Sequence, residues 1–183
     1  QLEAQSNASD DELIALAWLK WGECCPEKLI GDFALAVVSP TTGTVFLARD
    51  VMGVKPLFYR ADAHGVFFGN SAAAFKPLKL GTLTPSREWM AKFLLEISYS
   101  HTETAYEEIK KLAGAHCLLI HADGRINLRR YHRFVDDAPM EKTRDPKYLE
   151  AYRVAWQEAV ACRLPASGNV GTENSGGLDS GSL

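Results

Sequence analysis

The hydrophobic and polar positions near the start of the chain repeat with the spacing of an amphipathic helix. Ser9-Asp10-Asp11-Glu12 has the capping-box pattern, in which a hydroxyl is followed three residues later by a carboxylate. Behind it, Ile14, Trp18 and Trp21 lie on one helical face, and Gly22 suits a helix end. The pattern therefore predicts a first helix that begins after Ser9 and ends at Gly22.

Short apolar runs separated by turn residues predict three β-hairpins in the next part of the chain. The paired runs are 33–38 with 45–48, 57–59 with 66–68, and 115–121 with 125–131. A second helix is predicted from Thr84, with Pro85 in its first turn. The side of this helix that is predicted to be buried carries Trp89, Phe93 and Leu94. Together these elements predict an antiparallel α+β domain.

The composition changes after residue 134. Residues 135–146 hold three Asp and two Pro but few large apolar groups, so we predict a linker there. A third helix is predicted to open at Asp145-Pro146 and to end near Pro165, and a short strand is predicted at 170–172. The apolar side of that helix carries Tyr148, Leu149, Tyr152, Trp156 and Val160. One domain is therefore expected over residues 1–134, and the beginning of an α/β domain over residues 147–183.

Composition and charge exclude several classes of protein. Of the 183 residues, 46% are hydrophobic and 23% are charged, which excludes disorder, collagen and coiled coil. No run of about 18 apolar residues is present, so no membrane span is predicted. The net charge of −3 gives no electrostatic footprint for nucleic acid. The basic stretch is interpreted as a solvated strand edge rather than an RNA-binding patch; it consists of Arg125, Arg129, Arg130 and Arg133.

The four cysteines predict neither a disulfide framework nor a metal site. Cys24, Cys25, Cys117 and Cys162 show no Cys-x-x-Cys spacing. The adjacent pair Cys24–Cys25 is interpreted as two thiols packed near a helix end, because no further ligands accompany it. No histidine pair has metal spacing, so no metal ligand is assigned. Because the sequence shows no signal peptide, we expect reduced thiols and a cytoplasmic protein.

Residues 175–180, Ser-Gly-Gly-Leu-Asp-Ser, carry the strongest chemical signal. A glycine-rich turn before a helix exposes backbone N–H groups that bind anions. Asp179 indicates a bridging Mg²⁺, because a carboxylate repels a phosphate group. A Walker loop is excluded because Gly177 stands where lysine is required, and a nucleophile elbow is excluded because Glu173 stands where glycine is required. The segment resembles the pyrophosphate-binding loop of ATP pyrophosphatases, which adenylate a carboxylate or carbonyl.

Five further blocks stand in a characteristic order along the chain. They are 9–14 (SDDELI), 21–24 (WGEC), 29–34 (LIGDFA), 47–59 (LARDVMGVKPLFY) and 106–112 (YEEIKKL). In this order, and with the Gly/Ser loop after them, they resemble glutamine-dependent asparagine synthetases over nearly the whole chain. The resemblance implies that the chain begins with the second half of a glutaminase domain. The interdomain connection and the first loop of a synthetase domain follow it.

The resemblance implies an N-terminal-nucleophile hydrolase fold, a four-layer αββα sandwich, of which this chain holds a part. In that family the nucleophile is a cysteine at position one, and its own α-amine acts as the base. This sequence begins with Gln1, and no internal cysteine can take the role because the thiol and the free amine must belong to one residue. We therefore expect the nucleophile upstream, assign no catalytic residue here, and expect this chain alone to be inactive.

The resemblance also implies binding residues. Asp10 is implied to pair with the α-ammonium group of glutamine, whereas the residues alone favour a complement to the helix dipole. The residues implied to bind ATP are Asn174, Ser175, Gly176, Gly177, Asp179 and Ser180. Three positions depart from the family pattern: Asn174 replaces leucine, Gly181 replaces serine, and residues 68–73 lack a Glu and a Lys. An asparagine at a buried strand end is unfavourable unless it is paired.

Arg49, Asp50 and Lys55 form a charged group within the fourth block. We interpret them as turn and packing residues rather than as a site, because two strands need a charged, hydrogen-bonded corner there.

The reaction implied for the complete protein is asparagine synthesis. Glutamine would be hydrolysed, and its ammonia would pass through an internal tunnel to β-aspartyl-adenylate, giving asparagine, AMP and pyrophosphate. The expected cofactors are ATP and Mg²⁺, and the expected partners are glutamine, aspartate and ATP, with no nucleic acid or membrane and with a homodimer left open. One alternative is a related adenylating enzyme, a peptide macrolactam or β-lactam cyclase with a degenerate glutaminase domain. Another is a non-catalytic binding module.

Overall fold

The computed structural model describes residues 8–78, 81–97, 100–134, 146–165 and 167–181. The chain forms two compact units, Gln1–Val135 and Asp136–Leu183. The linker predicted over residues 135–146 lies outside the described residues except for Pro146. The boundary between the units falls beside residue 134, where the composition changes, while the assignment of a domain type to each unit stays a prediction.

The described part of the first unit contains two α-helices, two 3₁₀ helices and seven strands. They are α1 (Asp10–Trp21), the 3₁₀ helix Gly22–Lys28, β1 (Ala34–Ser39), β2 (Thr44–Arg49), β3 (Phe58–Asp62), β4 (Gly65–Gly69), the 3₁₀ helix Ala72–Leu78, α2 (Arg87–Leu94), β5 (Lys110–Lys111), β6 (His116–Ile120) and β7 (Ile126–Arg130). The three predicted hairpins are confirmed as β1–β2, β3–β4 and β6–β7. Among the described helices, none has both the length and the apolar character that a membrane crossing requires.

Helix α1 begins and ends where its sequence predicts. The Ser9 hydroxyl oxygen accepts the Glu12 backbone N–H at 3.3 Å, and the Glu12 carboxylate accepts the Ser9 N–H at 2.9 Å. This reciprocal capping box satisfies two donors that a helix start otherwise leaves unpaired. Gly22 ends the helix with φ 55°, a left-handed conformation that glycine adopts without strain.

Two antiparallel sheets form the core of the first unit. The first sheet has the strand order β1-β2-β6-β7, and the second has the order β4-β3-β5. Successive side chains of a strand point to opposite faces, so β2 contacts two layers. Phe46 belongs to the apolar cluster that contains Ala17 of α1, whereas Leu47 belongs to the cluster that contains Leu57 and Tyr59 beside the second sheet. The layer order is helix, sheet, sheet, as in part of an αββα sandwich, and the predicted α+β class is confirmed.

Helix α2 starts later than its sequence predicts. Its first residue is Arg87, and it is capped by Ser86, whose hydroxyl oxygen accepts the Trp89 N–H at 3.4 Å. Pro85, predicted inside the first turn, instead forms an antiparallel β-bridge with Tyr106. The long-range pairing holds this proline in extended backbone, which overrides its local preference for a helix start.

The buried side predicted for α2 is wrong for two of its three residues. Phe93 is 51% exposed and Leu94 is 79% exposed, while Trp89 is half-buried. Helical periodicity identifies which side of a helix is apolar, but it does not determine whether another element covers that side.

The second unit, taken by itself, contains α3 (Pro146–Ala161) and the single helical turn α4 (Leu178–Gly181). The predicted third helix is confirmed in α3, although Tyr148 and Leu149 on its apolar side are 62% and 72% exposed. The strand predicted at 170–172 is wrong, because these residues form no strand. A strand requires a neighbour for its backbone hydrogen bonds, and the described residues of this unit supply none.

Gly114 packs closely against the loop that follows β2. A Cβ atom added at Gly114 would lie 2.9 Å from both the Gly53 nitrogen and the Val51 oxygen. We expect Gly114→Ala to lower the free energy of unfolding by roughly 1–3 kcal/mol, because backbone atoms cannot move aside as a flexible side chain can. Urea denaturation measures the change. Gly69→Ala is the control, because its Cβ would meet only the Ala74 Cβ at 4.0 Å, and equal losses in the two variants would contradict the prediction.

Candidate functional site

Asp10 borders a cleft beside the start of α1. It is the first residue of the helix and is exposed, and the helix dipole favours a negative charge at this position. The cleft has a volume of about 320 Å³. Its lining consists of Asp10, Leu13, Ile14, Leu29, Ile30, Gly31, Asp32 and Phe33. Apolar side chains therefore form most of the wall, and two carboxylates lie among them.

Asp32 is the carboxylate that sequence reasoning missed. It is half-buried in the segment between the first 3₁₀ helix and β1. The available signal was its position directly before the β1 run, since this strand start and the start of α1 border the same cleft. Two carboxylates beside apolar walls suit a ligand that has a cationic group and an aliphatic stem. Among the described residues, the lining contains no cysteine, serine or histidine, so these residues offer binding groups rather than a nucleophile.

Arg49 donates hydrogen bonds to two backbone segments, the loop after β2 and the segment after β5. Its guanidinium donates from Nε to the Lys55 oxygen at 2.6 Å, from Nη1 to the Leu112 oxygen at 2.7 Å, and from Nη2 to the Gly53 oxygen. Burial lowers the pKa of Arg49, and the neighbouring Asp50 carboxylate opposes that shift. The three carbonyl acceptors hold the guanidinium inside the fold, where an unpaired charge would be strongly unfavourable.

Asp50 completes the same corner. Its carboxylate accepts the Val54 N–H at 2.9 Å and the Lys55 N–H at 3.0 Å. Its own backbone N–H donates to the Phe33 oxygen at 2.8 Å, which ties the cleft wall to the end of β2. The interpretation of Arg49, Asp50 and Lys55 as turn and packing residues is therefore confirmed, with Lys55 taking part through its backbone.

The Gly/Ser loop of the second unit bonds its backbone donors to its own side chains. The N–H of Ser175 donates to Ser180 Oγ at 3.2 Å, that of Gly176 to Asn174 Oδ1 at 2.8 Å, and that of Gly177 to Ser175 Oγ at 3.4 Å. The acceptor oxygens lie together, because Ser180 Oγ is 3.0 Å from Ser175 Oγ and 3.4 Å from Asn174 Oδ1. Three successive N–H groups thus converge on one cluster of oxygens, which is an arrangement that suits a phosphate group.

Asn174 does not sit at a buried strand end. It is exposed and acts as the acceptor for the Gly176 N–H, so the expected penalty for an unpaired asparagine is absent. Gly176 has φ 77°, which lets the chain turn without strain from a side chain. Asp179 follows on the exposed surface of α4. All six residues predicted to bind ATP are therefore adjacent in the structure, while their role stays a prediction.

Comparison with known proteins decides the family. Residues 2–132 match a family model described as a glutamine amidotransferase domain. The chain belongs to this glutamine amidotransferase family. Over 176 residues it is 30% identical to asparagine synthetase [glutamine-hydrolyzing] 3 of Bacillus subtilis, covering 96% of this chain and 28% of that protein. It is 26% identical over 178 residues to amidase chry2 of Gibberella zeae, covering 96% of this chain and 26% of that protein.

The amidotransferase chain is therefore much shorter than these relatives, of which it spans between a quarter and a third. Among solved structures, the glutamine phosphoribosylpyrophosphate amidotransferase from B. subtilis, complexed with ADP and GMP, aligns with a TM-score of 0.46 and 14% identity. That alignment covers 72% of this chain and 24% of the other. The helix, sheet, sheet order of the amidotransferase unit rests on the contacts within this chain and not on that alignment.

Two of the three cysteines of the amidotransferase unit are buried. Cys25 and Cys117 are buried in one apolar cluster, whereas Cys24 is exposed. The pKa of the Cys25 thiol is raised to about 11, mainly by burial. The neighbouring Cys117 and Cys24 thiols shift it in the same direction by smaller amounts. The interpretation of Cys24–Cys25 as two thiols packed near a helix end is confirmed for Cys25, which is buried in the 3₁₀ helix after α1, whereas Cys24 in the same helix is exposed. Within the described residues, no group of three or more His, Cys, Asp and Glu could hold a metal ion.

Arg129 and Arg130 lie in the edge strand β7, as predicted, and Arg125 lies directly before that strand. Strand β7 is the last strand of the first sheet. Arg129 donates to Glu27 Oε1 at 2.6 Å, and Arg125 donates to Asp123 Oδ2 at 2.7 Å. Their charges are thus partly compensated by neighbouring carboxylates.

The hydrogen bonds of Arg49 predict a large loss of stability when its guanidinium is replaced. Lysine keeps the charge but cannot reach three separate carbonyls, so Arg49→Lys should lower the free energy of unfolding by roughly 2–4 kcal/mol. Arg125→Lys is the control, because the Arg125 side chain is 72% exposed and its replacement should cost less than about 0.5 kcal/mol. Chemical denaturation of both variants measures the difference, and a loss at position 49 no larger than the control would refute the role.

Thiol reactivity should separate the four cysteines into two classes. Iodoacetamide reacts with an accessible thiolate. We expect it to modify Cys24 and Cys162, which are exposed, well before Cys25 and Cys117, which are buried. Peptide mass spectrometry at mildly alkaline pH identifies the modified positions, and the same reaction in urea should modify all four. Equal rates at Cys24 and Cys25 in the native protein would contradict the assigned burial.

Proposed function

We propose that the complete protein is a glutamine-dependent ligase that makes asparagine. In this proposal, residues 1–134 are the C-terminal part of its amidotransferase domain, and residues 147–183 begin its ATP-pyrophosphatase domain. One observation carries the proposal. The amidotransferase match ends at residue 132, whereas the alignment with the B. subtilis asparagine synthetase covers 176 residues. The similarity therefore continues well beyond residue 132, into the second unit.

The Asp10 cleft is proposed to bind glutamine. The Asp10 carboxylate would pair with the α-ammonium group, and the leucine and phenylalanine side chains of the wall would contact the aliphatic stem. Asp32 lies in the same lining and would add negative potential beside the ammonium group. The cysteine nucleophile would come from polypeptide upstream of this chain, so this chain alone would not hydrolyse glutamine.

The Gly/Ser loop is proposed to bind the pyrophosphate part of Mg-ATP. Its donor set is suited to this group, because the N–H groups of residues 175–177 converge on one place. Phosphate oxygens would replace the side-chain oxygens of Asn174, Ser175 and Ser180 as acceptors. Asp179 would supply an oxygen ligand to Mg²⁺. Bound ATP supplies the adenylyl group that activates the β-carboxylate of aspartate toward ammonia.

A second product class is supported by two observations. One relative is named an amidase rather than an asparagine synthetase, and residues 68–73 lack the Glu and Lys of the synthetase pattern. In the alternative, the same adenylating loop would activate another acid, as in a peptide macrolactam or β-lactam cyclase, and the glutaminase domain would be degenerate.

The complete protein should release AMP when it is supplied with aspartate, glutamine and Mg-ATP. Quantifying AMP and asparagine together tests the proposal, because adenylation coupled to amidation produces both in equal amounts. AMP release with a peptide or another acid, but not with aspartate, would support the alternative. Ammonium chloride in place of glutamine tests the synthetase half separately.

Replacing Asp10 should weaken the use of glutamine without affecting ammonia. Asp10→Asn removes the charge proposed to pair with the α-ammonium group, so the KM for glutamine should rise by about tenfold or more. Activity with ammonium chloride should be unchanged. Asp11→Asn is the matched control, because Asp11 is the next residue of the same helix but borders a different groove. Equal effects of the two substitutions would refute the role of Asp10.

A further inference from the structure

The described lining of the Asp10 cleft carries charge of one sign. Its ionisable side chains are those of Asp10 and Asp32, and among the described residues it contains no lysine, arginine or histidine. The remaining lining residues are apolar or glycine: Leu13, Ile14, Leu29, Ile30, Gly31 and Phe33. Because apolar walls screen a charge less than water does, a cleft lined in this way concentrates its negative potential.

The two carboxylates of the cleft have different surroundings. Asp10 is exposed in the first turn of α1, whereas Asp32 is half-buried directly before the segment that leads into β1. The next residue, Phe33, is fixed to the core, because its backbone oxygen accepts the Asp50 N–H at 2.8 Å. Since water and salt screen a half-buried charge less than an exposed one, Asp32 is the carboxylate whose field acts more strongly inside the cleft.

One ammonium group can compensate only one of these two carboxylates. In the proposed complex, the α-ammonium group of the amino acid pairs with Asp10, and the negative charge of Asp32 remains in the lining. Glutamine and glutamate have the same length and the same α-groups. They differ at the end of the side chain, where the amide of glutamine is neutral and the carboxylate of glutamate is negative. The charge of Asp32 therefore disfavours glutamate more than glutamine.

We propose that Asp32 is a specificity-determining residue of this cleft, which selects glutamine over glutamate by electrostatic repulsion. The inference rests on the proposed glutamine-binding function of the cleft. Hydrolysis converts glutamine and water into glutamate and ammonia, so the amino acid acquires its negative side chain within the cleft. The same repulsion then favours release of the product. Repulsion between two unit charges across a partly screened cleft changes relative affinity by about tenfold.

The effects of the two carboxylates can be separated by measurement. Asp10 is proposed to contact the α-ammonium group, which glutamine and glutamate share, so its loss weakens the binding of both amino acids alike. Asp32 acts on the group in which they differ, so its loss changes the ratio of the two affinities. A loss of local structure at either position would weaken both ligands together and would leave that ratio unchanged.

The test follows ammonia release from L-glutamine by the complete protein and uses L-glutamate as the inhibitor. Asp32→Asn should lower the ratio of the glutamate inhibition constant to the glutamine KM by about tenfold. Asp32→Glu keeps the charge and should keep the ratio of the unsubstituted protein. Asp11→Asn is the matched control, because it removes a carboxylate from the same unit but Asp11 borders a different groove. An equal change of the ratio in Asp11→Asn would overturn the proposal.

Salt gives a second readout that needs only the unsubstituted protein. The same ratio should fall when potassium chloride is raised from about 0.05 M to about 0.5 M, because salt screens charge repulsion. A ratio that is insensitive to salt, or that is unchanged in Asp32→Asn while glutamine is still used, would overturn the role of Asp32 and leave the glutamine assignment intact. Absence of ammonia release from glutamine by the unsubstituted protein would instead overturn the proposed function, and this inference with it.

Discussion

The first unit depends on the burial of one cation. Arg49 is only 8% exposed at the end of β2, and it donates to carbonyls in the loop that leads to the second sheet and at Leu112, directly after β5. A side chain of one sheet therefore holds the backbone of the other. Its own carbonyl accepts the Tyr131 hydroxyl at 2.6 Å, which adds the segment after β7. A planar guanidinium suits this position because it directs several donors at once.

Asp50, the residue after Arg49, connects the end of β2 to the candidate glutamine cleft. Its backbone N–H bonds to Phe33 before β1, and its backbone oxygen accepts the Ala115 N–H at 2.9 Å before β6. The ends of three strands of the first sheet thus meet at one residue. The wall of the cleft is positioned by this junction, and its acidic rim by the start of α1. A binding site assembled from strand ends and a helix start has little freedom to shift independently of the core.

The sequence predicts local features well here and long-range ones poorly. The capping box of α1 and the three hairpins depend on neighbouring residues, so they follow directly from the pattern. The extended backbone at Pro85 depends on its bridge to Tyr106. The exposure of Leu94 depends on whether another element covers that side of α2. Asp32 is missed for the same reason, since its place beside Asp10 is set by tertiary folding. Asn174 is misjudged because its strand never forms.

In the proposed ATP-binding role of the Gly/Ser loop, its inward hydrogen bonds would affect which anions compete for it. Any anion that enters must displace the oxygens of Asn174, Ser175 and Ser180 before it can use the backbone donors. It gains only the difference between its own hydrogen bonds and those already present. A weakly coordinating monovalent ion such as chloride gains little from this exchange, whereas a multiply charged oxyanion gains much more. In that proposed role, the loop's internal hydrogen bonds would disfavour small monovalent anions relative to multiply charged oxyanions.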